Sequence, residues 1–150
     1  MRLATKTIAT VLLAFSLAPM AQANESSGRT QAEQACLTEA IYFEAAPSAA
    51  SQQAVGHVIL NRTRDPRFPG SVCGVVKQGC QFSYRCSGRS LALRDKVKRR
   101  GAEQAASAVL AGGGDPTSGA LYFHSAKARP GGFFSKRPRV GVIGGNVFYR

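Results

Sequence analysis

The sequence predicts an α+β domain that is mostly helical, with a small β-hairpin near the C-terminus. Apolar residues recur at helical spacing in successive segments between residues 30 and 110. Proline and glycine break those segments at 47, 65–70 and 112–116. Beyond residue 119 the pattern shortens into stretches rich in β-branched and aromatic side chains.

The chain opens with Met1, Arg2 and Lys6, runs through the apolar stretch Ile8 to Leu17, and reaches Ala21-Gln22-Ala23. A basic start, a short apolar run and a small-x-small site make residues 1–23 an expected export signal, cleaved after Ala23. The apolar run is too short to span a bilayer, and the released chain is expected to be soluble and to reside in the periplasm or cell envelope. About 127 residues remain, enough for one domain with a core.

Residues 24–30 are polar and small, and are expected to form a flexible leader. A single folded domain is then expected over 31–150. Thr30 and Glu33 have capping-box spacing, and Cys36, Leu37, Ala40, Ile41 and Glu44 follow at helical spacing until Pro47 closes the run. Ser51 opens a second helix through Ala54, Val55, Val58 and Ile59 to Asn61 or Arg62. After the break Asp65-Pro66-Arg67-Phe68-Pro69-Gly70, a short helix is expected from Ser71 to Lys77. Gly79 to Gly88 reads as a loop held by Cys80 and Cys86, and Ser90 to Leu110 as the longest helix, with Leu91, Leu93 and Val97 among its apolar positions. Ala120 to His124 and Val140 to Tyr149 carry the β element, with Gly144-Gly145 available for its turn.

Of 20 basic and 8 acidic residues, only Arg2 and Lys6 belong to the export signal, so the remainder carries 18 against 8 and a net charge of +10. Such a chain is drawn to polyanions, and the block Arg94, Lys96, Lys98, Arg99 and Arg100 is the candidate surface for anionic wall or membrane polymers. The export signal and the lack of a recognition motif argue against nucleic acid. The oligomeric state is open.

Cys36, Cys73, Cys80 and Cys86 are an even set in a chain sent to an oxidising compartment, which predicts two disulfides in one of three pairings. Neither a Cys-x-x-Cys pair nor nearby histidines are present, since His57 and His124 lie far off in sequence; no metal and no cofactor is expected.

With so few acids, candidates for acid chemistry are quickly sorted. Asp65, Asp95 and Asp115 sit in turn or exposed settings, whereas Glu39 and Glu44 share the most apolar helix. Glu44 stands among Tyr42, Phe43, Ala45 and Ala46. Apolar surroundings disfavour the charged carboxylate and keep it protonated, as glycosidic cleavage requires of its acid. An exposed glutamate at a helix end would look the same in sequence.

The stretches Cys36 to Ala45 and Gln53 to Arg62 resemble the SleB/CwlJ family of cell-wall hydrolases. The similarity continues through Phe68-Pro69, Val72 to Val76, Cys80-Gln81-Phe82-Ser83, Asp115-Pro116-Thr117, Gly119 to His124 and Val147-Phe148-Tyr149, in family order. The resemblance implies a lysozyme-like fold related to lytic transglycosylases, and cleavage between N-acetylmuramic acid and N-acetylglucosamine in peptidoglycan. The family motif Ala-x-x-x-Glu-Ala-Arg-Gly-Glu puts its first glutamate on Glu44 as the catalytic acid, leaving Glu39 structural. It implies substrate contacts by Gln81 and Ser83 in a cleft loop, and by Tyr122 and His124; His57, Asn61 and Arg62 are left outside the site. Ala46-Pro47-Ser48 stands where the family has Arg-Gly-Glu, and Gly145-Asn146-Val147 where many relatives place a histidine. A non-catalytic peptidoglycan-binding protein is the alternative.

Overall fold

The computed structural model describes residues 20–150, with side chains from residue 30 onward. Residues 1–19 of the expected export signal lie outside the described residues. Five α-helices and three strands follow in the order α1 (Met20–Glu44), α2 (Ala49–Thr63), α3 (Val72–Lys77), α4 (Lys96–Leu110), β1 (Tyr122–Ser125), α5 (Gly132–Ser135), β2 (Arg139–Ile143) and β3 (Asn146–Tyr149), with a 3-10 turn at Ser83–Cys86.

The first helix begins well before Thr30. Residues 24–30, expected as a flexible leader, are part of α1, because Ala21, Gln22, Ala23 and Glu25 favour helix and no proline interrupts them. Glu33 therefore does not close a capping box. Its Oε2 instead accepts the Val72 N–H at 3.2 Å, at the first turn of α3. The disulfide Cys36–Cys73 fastens the same two helices, and Cys80–Cys86 closes the following loop.

Helix α2 starts earlier than Ser51. Ser48 is its N-cap, accepting the Ser51 N–H at 3.3 Å, while Ser51 Oγ accepts the Ala46 N–H at 3.0 Å and fixes the link from α1. Apolar side chains cover α2 on both sides. Val55 and Ile59 join Leu37, Ile41, Val75, Ala106 and Val109 in the main core, and Ala54 and Val58 join Ala120 and Phe148 beneath the sheet. The helix is thus the central pillar of the domain.

The long helix expected from Ser90 starts only at Lys96. Asp95 caps it by accepting the N–H groups of Val97 and Lys98 at 2.9 and 3.0 Å, which fixes the boundary and leaves 88–95 as an irregular strap. This start turns Val97, one of the apolar positions expected of the longer helix, out to solvent at 84 % exposure. Further along α4, Gly101 lies so close to the Gln52 amide that an added Cβ would sit 2.9 Å from it. The glycine that costs helix propensity lets α4 approach α2.

The late β element is a three-stranded antiparallel sheet in the order β1-β3-β2 rather than a hairpin alone. Gly144 and Gly145 make the β2–β3 turn with φ of 55° and 85°, the left-handed values its two central residues require. An added Cβ at Gly144 would lie 2.4 Å from Ser51 Cβ, so this turn is seated on the start of α2. Strand β1 pairs on the other side of β3, Tyr122 opposite Tyr149 and His124 opposite Val147.

Candidate active site

Glu44 ends α1 and lines a groove of about 480 Å³ with Phe43, Ser83, Tyr84, Ser87, Arg89, Ser90 and Leu91. Three segments build this groove. The last turn of α1 gives the acid, the disulfide-closed loop gives Ser83, Tyr84 and Ser87, and the strap ahead of α4 gives Arg89, Ser90 and Leu91. The Tyr84 ring stacks on Phe43 with centroids 4.6 Å apart. Glu39 Oε1 holds this arrangement from one turn below, accepting the Tyr84 hydroxyl at 2.9 Å and an Arg85 Nη1–H at 2.6 Å.

The other acidic side chains from residue 30 onward all have structural work. Glu33 receives the start of α3, Glu39 holds Tyr84 and Arg85, Asp65 pairs with Arg67, and Asp95 caps α4. Glu103 pairs with Arg99 across one helical turn. Asp115 accepts from Asn61, the Thr117 hydroxyl and N–H, and the Gly119 N–H at 2.6 to 2.9 Å. Burial alone would raise Asp115, but these bonds outweigh it and lower its pKa to about 2. Its partners are its own loop and Asn61 of α2, so it remains an ionised brace.

Among the described residues, Glu44 is the carboxyl group with neither a hydrogen bond nor an ion pair within contact distance. Burial raises its pKa, and the positive charge of Arg62 acts against that rise. Arg62 sits near the end of α2 and is 3 % exposed, with Nε donating to the Leu121 carbonyl at 2.8 Å. Its guanidinium carbon lies 5.2, 5.6 and 5.9 Å from the ring centroids of Phe68, Phe82 and Tyr122. Nη1 is buried with no hydrogen-bond partner among the described residues. Burial brings Arg62 down to about 10, opposed by its attraction to Tyr122 and Glu44. The site therefore couples a carboxyl group that resists ionising to a buried cation that favours the ionised form.

The residues singled out from sequence divide in this geometry. Ser83 lines the groove beside Glu44, whereas Gln81 is exposed and outside its lining. Tyr122 is half-buried and contributes to the aromatic surroundings of Arg62. His124 is engaged within the sheet, with Nε2 3.0 Å from the Tyr149 hydroxyl and Nδ1 2.8 Å from the Ser125 carbonyl. His57 is buried 3.9 Å from Asp115, and burial lowers its pKa, so it stays neutral and structural. Asn61 serves the Asp115 loop.

Sequence reasoning missed Arg62, Tyr84 and the strap residues Arg89 to Leu91. Arg62 lies in a stretch the family resemblance covers, but its burial depends on rings at 68, 82 and 122. Tyr84 carried one signal, its place two residues before a cysteine that clamps the loop.

Comparison with known proteins gives a consistent set of likenesses. The family model described as Cell Wall Hydrolase matches residues 46–149, beginning two residues beyond Glu44. The spore cortex-lytic enzyme of Halalkalibacterium halodurans is 30 % identical over 126 residues, covering 83 % of this chain and 37 % of that protein. That of Bacillus subtilis is 31 % identical over 127 residues, covering 84 % and 40 %. The chain thus spans about two fifths of the length of these curated relatives.

Among solved structures, the catalytic domain of the germination-specific lytic transglycosylase SleB from Bacillus anthracis aligns with a TM-score of 0.66 and 26 % identity, over 80 % of this chain and 95 % of that one. The catalytic domain of the Bacillus cereus SleB protein aligns with a TM-score of 0.64 and 26 % identity, over 80 % and 91 %.

Proposed function

Since the chain belongs to the cell wall hydrolase family, we propose that it cleaves peptidoglycan glycan strands between N-acetylmuramic acid and N-acetylglucosamine, with Glu44 as the general acid. The observation that carries this reading is the isolation of Glu44. It alone among the acidic side chains described is relieved of structural bonding, and it lines a groove where burial raises its pKa.

Glu44 donates its proton to the glycosidic oxygen as the bond to the sugar breaks and oxocarbenium character develops. The carboxylate left behind is stabilised by the buried charge of Arg62, a fixed cation that needs no reorganisation during the step. Ser83 and the Tyr84 ring, held by Cys80–Cys86 and by Glu39, orient the sugar against the acid.

Most hydrolases that activate water place a second carboxylate on the far side of the sugar. The other acidic side chains described are committed to capping, pairing or bracing, which supports lytic transglycosylation instead. In that chemistry the Glu44 carboxylate takes the proton of the muramic acid C6 hydroxyl, and the C6 oxygen closes a 1,6-anhydro ring on C1. The net change is the exchange of one glycosidic bond for another, with no water consumed.

The substrate is the cell wall, so the protein acts after export, in the periplasm or cell envelope. Mass spectrometry of fragments released from purified peptidoglycan tests the proposal. Anhydro-ended muropeptides, one water lighter than reducing-ended ones, are the expected product. Reducing ends would indicate a muramidase, and binding to the wall with no soluble fragment would indicate a non-catalytic peptidoglycan-binding protein.

A further inference from the structure

From Pro116 to Arg150 the sequence has no acidic residue, while it carries Lys127, Arg129, Lys136, Arg137, Arg139 and Arg150. Within this cationic stretch, α5 sets two rings on the sheet. Phe134 packs edge-on to His124 at 4.7 Å and lies 5.1 Å from Tyr149. Phe133 packs edge-on to Tyr122 at 5.3 Å yet stays 52 % exposed, one of few large apolar side chains left open.

Arg137 lies over these rings. Its guanidinium carbon is 3.4 Å from the Phe133 centroid and 4.4 Å from that of Tyr122, and Nη1 donates to the Phe133 carbonyl. No carboxylate among the described residues forms an ion pair with it. Tyr122 also lies 5.9 Å from the guanidinium carbon of Arg62 and 6.1 Å from the Phe68 ring. Arg62 is buried, so what reaches the surface beside Tyr122 is the pair Phe133 and Arg137.

An exposed ring covered on one face by a guanidinium offers two kinds of contact. Phe133 also packs against Phe134 at 5.1 Å, and its exposed part can meet the C–H face of a pyranose ring, burying apolar area on both partners. The fork of Arg137, held flat by the rings, can take a carboxylate through parallel N–H bonds. A neutral glycan would use only the first. An acidic peptide with no sugar would use only the second.

We propose that Phe133 and Arg137 form a glycan subsite beside Tyr122 that stacks a sugar ring on Phe133 and binds a stem-peptide carboxylate of the same strand on Arg137. This inference rests on the reading of the chain as a peptidoglycan-cleaving enzyme and adds a preference for strands that still carry their peptides.

Binding is measured with the full chain in a Glu44→Gln background, so that strands stay intact. The probes are soluble peptidoglycan strands bearing stem peptides, and the same strands stripped of peptide by an amidase. Phe133→Ala should weaken binding of both probes by roughly tenfold. Arg137→Gln should weaken the peptide-bearing strands by about tenfold or more and change the stripped strands little, with Arg137→Lys intermediate. Phe133 is exposed and Arg137 half-buried, so Arg137→Lys, which keeps the charge and much of the packing, separates a binding loss from any loss of stability seen in the melts.

Variants that bind both probes as the parent does, while the chain with Glu44 intact releases muropeptides, would overturn the subsite and leave the cleavage reading standing. The amidase leaves a lactyl carboxylate on each muramic acid, so equal loss on both probes from Arg137→Gln would place the contact on that group and overturn the stem-peptide assignment. A parent that binds neither probe and releases nothing overturns both the subsite and the cleavage reading.

Discussion

The Tyr84 hydroxyl donates to Glu39 Oε1 at 2.9 Å, joining the last turns of α1 to the loop closed by Cys80–Cys86. Glu39 lies five residues before Glu44, more than one helical turn, and its carboxylate faces the loop instead of the groove. It thereby fixes the ring that stacks on Phe43 and forms one wall beside the acid. Burial and the Glu39 bond both push the Tyr84 hydroxyl up, so it remains a neutral donor at any working pH.

Replacing Glu39 by alanine should cost about 2 kcal/mol, since it strands a half-buried tyrosine hydroxyl and an arginine. Glu39→Gln keeps an acceptor for Tyr84 and should cost less. Both should raise KM on peptidoglycan more than they lower kcat. Unchanged melting and unchanged KM in the alanine variant would show that the loop is held without Glu39.

Arg62 opposes the ionisation penalty at Glu44, and its removal should move the pH dependence in a definite direction. The acid must be protonated to act, so kcat/KM falls as pH rises through the Glu44 pKa. Without the cation that pKa rises further, so in Arg62→Gln the descending limb should shift to higher pH while the limiting rate drops. Arg62→Lys retains the charge and should keep the limb near that of the parent. A limb that stays in place in Arg62→Gln would break the proposed coupling, even if the variant is less stable.

Both disulfides should form in exported protein, leaving no titratable thiol under denaturing, non-reducing conditions. The loop-entropy relation gives about 4 kcal/mol for Cys36–Cys73 and about 2 kcal/mol for Cys80–Cys86, because the first spans a separation of 37 residues and the second of 6. Double replacement of Cys36 and Cys73 by serine should therefore lower the melting temperature more. Loss of Cys80–Cys86 should show chiefly in KM, because that loop lines the groove.

Around the start of α4, Arg94, Lys96 and Arg100 are exposed, while Lys98 lies 5.0 Å from the Tyr42 ring centroid and Arg99 pairs with Glu103. Exchanging Arg94, Lys96 and Arg100 for glutamine should weaken binding to anionic wall polymers and flatten its salt dependence, with little effect on melting. Unaltered binding at low salt would limit this face to keeping the protein soluble.

The fold was legible where local signals act locally. The helical spacing through Ile41 and Glu44, the break at Pro47, the cap at Ser71 and the Gly144-Gly145 turn all appear as the chain chemistry dictates. Errors arose where one residue had two possible roles. Thr30 and Glu33 have capping-box spacing, yet Glu33 is used by a helix start 39 positions away. Ser90 is a fair helix opener, but Asp95 supplies two cap bonds and wins.

At the candidate site, the partial burial of Glu44 was readable from its apolar neighbours because helix and burial coincide there. Arg62 was not, since an arginine at a helix end is ordinarily solvated and only the rings of Phe68, Phe82 and Tyr122 make it a buried cation. The cysteine pairing was equally hidden, because it depends on α1 and α3 meeting side by side.

The central claim is tested most directly by Glu44→Gln, which keeps size and packing but has no carboxylic proton to give. Release of soluble fragments from purified peptidoglycan should fall by roughly 100-fold or more, the scale of general acid catalysis, while wall binding is retained. The variant should also melt as the parent does in acid and slightly above it at neutral pH. Burial raises the Glu44 pKa, so the folded state holds the proton more tightly than the unfolded chain and loses stability as pH climbs past the ordinary carboxylate value of about 4.3. Glutamine escapes that loss. A Glu44→Gln protein that still releases fragments at the parent rate would contradict the account.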